Sequence, residues 1–292
     1  MDKITILSLS IKSYLVLKII IPKYSDIIEE VVIARDRSLI NDYSKEIKEL
    51  CKKYSVNYIF KSDFKKFKTN YIIIITWRWL VKEKTKKIIL FHDSILPKLR
   101  GFAPVITTLV KGIKRVGVTA AFAAKDYDTG NIINSFSTYI KYPITIKKAL
   151  EINSQNYIKS ISKILDKLKK NIIIVSKKQN NKKASYSLWR DENDFKIDWS
   201  KDADYLERFV NALSYPYKGA YCYLNKKKIR ILSAVKQKDV KIENRDFGKI
   251  IFIRNDKPVI VCGKGLLKIK TIISDRTKKN ILPLSKFRLR FS

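Results

Sequence analysis

The chain has 292 residues, with 62 Lys and Arg against 27 Asp and Glu for a formal net charge of +35, and a single histidine. That length, with 46% hydrophobic and 11% aromatic residues, supports a large core and excludes a disulfide-stapled mini-protein and a disordered basic tail. Cys51, Cys222 and Cys262 are scattered and match neither a disulfide framework nor a zinc spacing, so a reducing compartment and no metal are expected.

Taken in chain order, Ile4–Leu9 reads as a short strand, Ser13–Ile21 as a helix ending at Pro22, and Glu30–Arg35 as a second strand. Ser44–Tyr54 carries Ile47, Leu50 and Cys51 at helical spacing. Val56–Phe60, Tyr71–Thr76 and Lys87–Phe91 follow as Ile-rich strands. Alternation at this pitch predicts an α/β domain built on a doubly wound, mostly parallel, Rossmann-like sheet. Ligands of such sheets bind beyond the carboxyl ends of the strands, which directs attention to the segment after Phe91.

Further along, Pro104–Lys111 suits a helix, Gly117–Phe122 a strand, and the apolar positions from Ile146 to Leu168 a long amphipathic helix. The polar run 176–183 is the expected linker, dividing a domain over 1–180 from another over 181–292. The second domain opens with a helix over Ala203–Leu213. Five short strands follow, Tyr221–Leu224, Ile229–Leu232, Gly248–Ile253, Val259–Cys262 and Leu266–Ile272, and predict a small OB-like β-barrel.

The basicity is diffuse. Residues 1–180 hold 35 Lys and Arg against 15 Asp and Glu, and residues 181–292 hold 27 against 12. Of the 62 cations 49 are Lys, so AT-rich coding accounts for part of the charge, and the remaining field favours any anionic ligand. Runs such as Lys226-Lys227-Lys228 are expected to be solvated hairpin cations. The first residues lack the layout of a secretory signal and no apolar run reaches membrane-span length, which leads us to expect a cytoplasmic protein without a membrane span.

The stretch carrying chemistry is His92-Asp93-Ser94-Ile95-Leu96-Pro97-Lys98-Leu99-Arg100-Gly101, followed by Gly117-Val118-Thr119 and by Asp126-Tyr127-Asp128-Thr129-Gly130-Asn131. An imidazole oriented by a carboxylate is suited to take a proton from an amine. Together these motifs, with His92 and Asp128 separated by 36 positions, resemble the folate-dependent formyltransferase family. Lys196-Ile197-Asp198-Trp199, Pro216-Tyr217-Lys218-Gly219 and Gly263-Lys264-Gly265-Leu266-Leu267 resemble the C-terminal domain of methionyl-tRNA formyltransferases, so the likeness covers nearly the whole chain.

The resemblance implies formyl transfer from N10-formyltetrahydrofolate to an amine, with His92 and Asp128 as the catalytic residues. It implies a folate pocket from Trp77, Arg78, Trp79, Leu80, Asp126 and Tyr127, with Ser94, Arg100, Gly101 and Asn131 shaping the site. Trp77 and Trp79 have a plainer reading as packing residues. The family's asparagine two residues before the histidine is Leu90 here. Loss of such a donor typically costs about two to three orders of magnitude in rate, unless Asn131 or another group substitutes. The acceptor expected first is a nucleotide-linked amino sugar; methionyl-tRNA is second, and a folate- or nucleotide-binding protein without turnover is third. A homodimer is compatible with all three.

Overall fold

The computed structural model describes residues 2–36, 41–81, 83 and 85–292. The chain forms two compact units that each draw on separated stretches. The first comprises Met1–Gly101, Gly117–Thr138 and Ile152–Tyr186; the second comprises Phe102–Val116, Tyr139–Glu151 and Ser187–Ser292.

The elements of the first half are β1 (Ile4–Ser8), α1 (Ser10–Tyr24), β2 (Ile28–Ile33), α2 (Ser44–Lys53), β3 (Tyr58–Phe60), β4 (Tyr71–Ile74), β5 (Lys87–His92) and β6 (Arg100–Gly101). They continue with α3 (Pro104–Val110), β7 (Arg115–Phe122), β8 (Ile132–Tyr139), α4 (Ile146–Lys169) and β9 (Tyr186–Ser187). A seven-stranded sheet runs in the order β3-β2-β1-β4-β5-β7-β8. Pairing is parallel from β3 through β5, and β7 joins β5 antiparallel. The Rossmann-like expectation holds.

Alternation along the Ile-rich strands explains why both faces are covered. Ile6, Val31, Ile73 and Ile89 meet α1, α2 and α4 through Leu17, Ile47 and Ile161, while Leu7, Val32, Ile72 and Ile88 join Phe64, Phe67 and Trp77 in a second cluster. A strand apolar at every position is the sequence mark of such two-sided burial.

Two expectations need correction. Helix α1 runs through Pro22 to Tyr24 instead of stopping before it. A proline near the last turn removes only one late hydrogen bond, and burial of Ile20, Ile21 and Tyr24 offsets that loss. The polar run 176–183 is not a free linker: Lys177 bridges Ile132, and Gln179 is buried. Its composition misleads because hydrogen bonding to backbone, not apolar burial, fastens it.

In the second unit α5 (Ala203–Ala212) precedes β10 (Ala220–Leu224), β11 (Lys227–Gln237), β12 (Ile250–Arg254), β13 (Lys257–Val261) and β14 (Leu266–Ser274). The five strands form an antiparallel sheet ordered β10-β11-β14-β13-β12. Residues 289–292 reach both edges, with Ser292 exchanging hydrogen bonds with Tyr223 and Phe291 N donating to Gly248 O. That segment makes the sheet barrel-like, since it gives the unpaired edges of β10 and β12 partners. Lys228 is not a solvated cation: it pairs with Glu192 and lies 3.9 Å from the Tyr221 ring centroid.

Candidate active site

β5 ends on His92 at the carboxyl edge of the parallel strands, where Ile74 pairs with Leu90 and Thr119 of β7 faces His92. Alternation puts Ile88, Leu90 and His92 on one face of the sheet and Phe91 on the other, where its ring stacks on Tyr157. The imidazole is only 7% exposed.

Both ring nitrogens have partners. Nδ1 lies 3.4 Å from Asp128 Oδ2, and Nε2 lies 2.7 Å from the Leu99 carbonyl oxygen. A carbonyl only accepts, so Nε2 carries a proton and donates to Leu99. A second proton at Nδ1 would satisfy Asp128 as well. Asp128 is itself fixed: its backbone lies in the left-handed region at φ 58°, which Asp tolerates better than most residues, and its Oδ2 accepts from Gly101 N at 2.8 Å.

The loop between His92 and Arg100 is tied down at several points. Ser94 Oγ donates to Lys98 O at 2.6 Å, and Thr119 Oγ1 donates to Ser94 O at 2.7 Å while accepting from Leu96 N at 3.1 Å. Leu99 N donates to Ser185 Oγ at 3.0 Å. Asp93 pairs with Lys12 Nζ at 2.6 Å and accepts from Asn153 Nδ2 at 3.3 Å, fastening the start of α1 to the residue after the histidine.

Of the residues expected from sequence, His92, Asp128 and Gly101 come together directly, and Ser94 joins them through its loop. Arg100 is 2% exposed and donates to Gln179 Oε1 and Asn181 Oδ1, so it is not the surface cation of a turn. Asn131 is exposed, and its backbone carbonyl accepts from Phe122 N. Asp126 and Tyr127 are exposed on the turn before Asp128.

Trp77 packs against the cluster of Leu7, Val32, Ile72 and Ile88, and meets Trp79 edge-to-face at 5.2 Å. Arg78 pairs with Asp36 at 2.5 Å, Leu80 is 82% exposed, and the buried Thr76 Oγ1 makes no hydrogen bond among the described residues. Among those residues there is also no cluster of three or more His, Cys, Asp or Glu that could hold a metal, and no helix long and apolar enough to cross a membrane.

Sequence reasoning missed Gln179, the Leu99 carbonyl and the Lys12–Asp93 pair. Nothing in a Lys- and Asn-rich run marks one glutamine as buried, and a carbonyl has no sequence signal.

The tightness of the Asp128 turn is testable at Gly130. A Cβ there would stand 1.7 Å from Phe122 O, an approach only glycine permits. Gly130→Ala is expected to lower stability by about 3 kcal/mol, the upper end for overpacking, measured by denaturant unfolding. A change below ~0.5 kcal/mol would show that the turn opens without penalty.

The chain thus joins a doubly wound α/β sheet, with a His–Asp pair at the carboxyl edge where such sheets bind ligands, to an antiparallel five-stranded unit. Residues 23–174 match the formyl transferase family and residues 190–288 match the formyl transferase C-terminal domain, so the chain belongs to the formyl transferase family. The methionyl-tRNA formyltransferase of Syntrophomonas wolfei is 27% identical over 196 residues, covering 67% of this chain and 61% of that protein. The corresponding protein of Treponema denticola is 28% identical over 192 residues, covering 64% of this chain and 59% of the relative. The chain thus spans about three fifths of the length of these two curated relatives.

In fold, the chain is similar to the N-formyltransferase of Helicobacter canadensis, solved with folinic acid and dTDP-3-aminofucose. The TM-score is 0.70 at 20% identity, covering 92% of this chain and 99% of that one. The methionyl-tRNA formyltransferase of Clostridium thermocellum gives a TM-score of 0.59 at 17% identity, covering 81% and 94%.

Proposed function

We propose that the protein transfers a formyl group from N10-formyltetrahydrofolate to the α-amino group of methionyl-tRNA. The observation that carries formyl transfer is the buried His92–Asp128 pair at the carboxyl edge of the sheet. The acceptor order expected from sequence is reversed here. Eight sequence relatives at 25–29% identity bear the methionyl-tRNA name, whereas the likeness to the sugar enzyme is a likeness of fold. A net charge of +35 also suits a polyanionic acceptor better than a small one. In this reading residues 1–180 carry the chemistry and residues 181–292 aid acceptor binding.

The residues present fit the donor. The orphaned Thr76 hydroxyl lies in the chain directly before Trp77 and the Trp79 ring, a combination suited to a flat heterocycle with hydrogen-bonding edges. Trp77, Arg78, Trp79, Leu80, Asp126 and Tyr127 would hold it, with Ser94, Arg100 and Gly101 shaping the wall and Asn131 at its rim. N10-formyltetrahydrofolate supplies the formyl carbon that an uncharged amine attacks.

His92 does the proton work. With Leu99 O as partner, the neutral ring carries its one proton at Nε2; when the acceptor amine replaces that carbonyl, the ring takes the tautomer protonated at Nδ1 against Asp128. Nε2 then accepts the amine proton as the new C–N bond forms, and the imidazolium returns a proton to the departing N10 nitrogen. Exclusion of water from a 7% exposed imidazole strengthens its pairing with the carboxylate.

Leu90 lies on the His92 face opposite Ala121 and offers no donor to the negative charge that develops on the formyl oxygen. Leu90→Asn is therefore expected to raise kcat by about one to two orders of magnitude. A fall in kcat in a folded variant would remove the oxyanion role from this position.

The acceptor is tested by incubating the protein with formyl donor and either charged initiator tRNA or a panel of nucleotide-linked 3- and 4-amino sugars, followed by mass spectrometry. Formylmethionyl-tRNA is the expected product. Turnover on a sugar alone overturns the acceptor, and donor binding without turnover on any acceptor overturns the transferase reading.

A further inference from the structure

We propose that Gln179 is the positioning residue of the His92–Asp128 pair, setting the carboxylate against the imidazole by gripping the turn at the carbonyls of Asp128 and Gly130. Gln179 is 7% exposed. Its Nε2 donates to Asp128 O at 2.8 Å and to Gly130 O at 2.7 Å, so both amide protons are spent on the carbonyls that bracket the turn. Its Oε1 accepts from Arg100 Nε at 3.2 Å and Nη2 at 2.7 Å. The orientation of the amide is unambiguous, because a guanidinium only donates and a carbonyl only accepts.

Asp128 needs such a grip. Its backbone sits at φ 58°, a conformation costly for a residue with a Cβ, and among the described residues its side chain is held by Gly101 N and the imidazole. Arg100 and Gly101 are consecutive, so Gln179 fastens the turn to the same strand that supplies the Gly101 N–H. One side chain thereby sets both the backbone and the hydrogen-bonding partner of the carboxylate. Arg100, whose hydrogen-bonding side-chain partners are the neutral oxygens of Gln179 and Asn181, is the anchor of this arrangement.

The proposal rests on the reading of His92 and Asp128 as the reacting pair, but its test reads the imidazole and not turnover. Since His92 is the only histidine, the two ring nitrogens give one pair of resonances in a long-range proton–nitrogen spectrum. Asp128→Ala marks the displacement of Nδ1 when the carboxylate is absent. In Gln179→Ala at the same pH, Nδ1 is expected to move at least half as far in the same direction, with Nε2, held by Leu99, moving much less.

Gln179→Glu guards against a folding defect. It keeps the volume and the acceptor for Arg100 while losing both donors to the turn, and is expected to move Nδ1 alike. In the double variant Gln179→Glu/Asp128→Ala, the Gln179 substitution is expected to add nothing at Nδ1. Nδ1 unmoved in Gln179→Glu, Nδ1 unmoved in Asp128→Ala, or an additive double variant each overturns the proposal. Formyl transfer assayed in parallel fails or succeeds without altering these spectra, so the two readings fall separately.

Discussion

Asp128→Asn is expected to reduce the rate of formyl transfer by about two to four orders of magnitude, and His92→Asn by at least as much. Asp128→Asn is the cleaner of the two. Asparagine tolerates the left-handed backbone at position 128, and its carbonyl oxygen still accepts from Gly101 N, so the turn survives while the charge facing Nδ1 disappears. What is lost is the group that holds the imidazole and steadies its positive charge after it accepts a proton. His92→Asn removes the proton acceptor itself and leaves the Leu99 carbonyl without the 2.7 Å donor. Single-turnover rates with saturating donor, alongside circular dichroism to confirm folding, provide the measurement. Activity within about threefold of the parent in either folded variant would deny these residues their roles.

Arg230→Met is expected to destabilise the second unit by about 3 kcal/mol, near the lower end for breaking a buried ion pair. The Arg230 side chain is 3% exposed, donates to Asp275 Oδ1 at 2.7 Å and Gly219 O at 3.0 Å, and pairs with Glu192. Glu192 and Asp275 retain some solvent contact, which limits the cost of leaving them unpaired. Thermal unfolding should show a midpoint lower by roughly 10 °C or more. A shift under about 2 °C would mean that the network contributes specificity and not stability.

The same cluster dictates an acid dependence. Burial pushes the Glu192 carboxyl up, but hydrogen bonds from Lys228 and Arg230 outweigh it and hold the group below its ordinary 4.5. Burial likewise raises Asp275, and Arg230 and Lys278 bring it below its ordinary 3.8. Both carboxylates are therefore more acidic folded than unfolded. Their contribution is complete above the unfolded values and is lost as the pH falls through the folded ones. Stability of the parent should decline from about pH 4.5 downward, and Arg230→Met should show a flatter decline.

The local sequence determined the strands and their two-sided burial, because consecutive apolar residues, as in Tyr71–Ile74, leave no solvent face. The catalytic candidates were legible too, through the resemblance of the His92 and Asp128 motifs and their 36-position separation to the formyltransferase family. Lys228 shows where local reading stops. Its neighbours in sequence are cations, and only the fold brings Glu192 and the Tyr221 ring to it.

Tertiary structure alone decided how the imidazole is held. Leu99 O, Gly101 N and Gln179 act through backbone groups or through partners 51 positions away, as with Gln179 and Asp128. Hydrogen bonds of that kind depend on where the chain returns in space, and no composition or periodicity encodes that. Helix α1 continuing through Pro22 follows the same reasoning, since local propensity ends the helix and long-range burial of Ile21 and Tyr24 extends it.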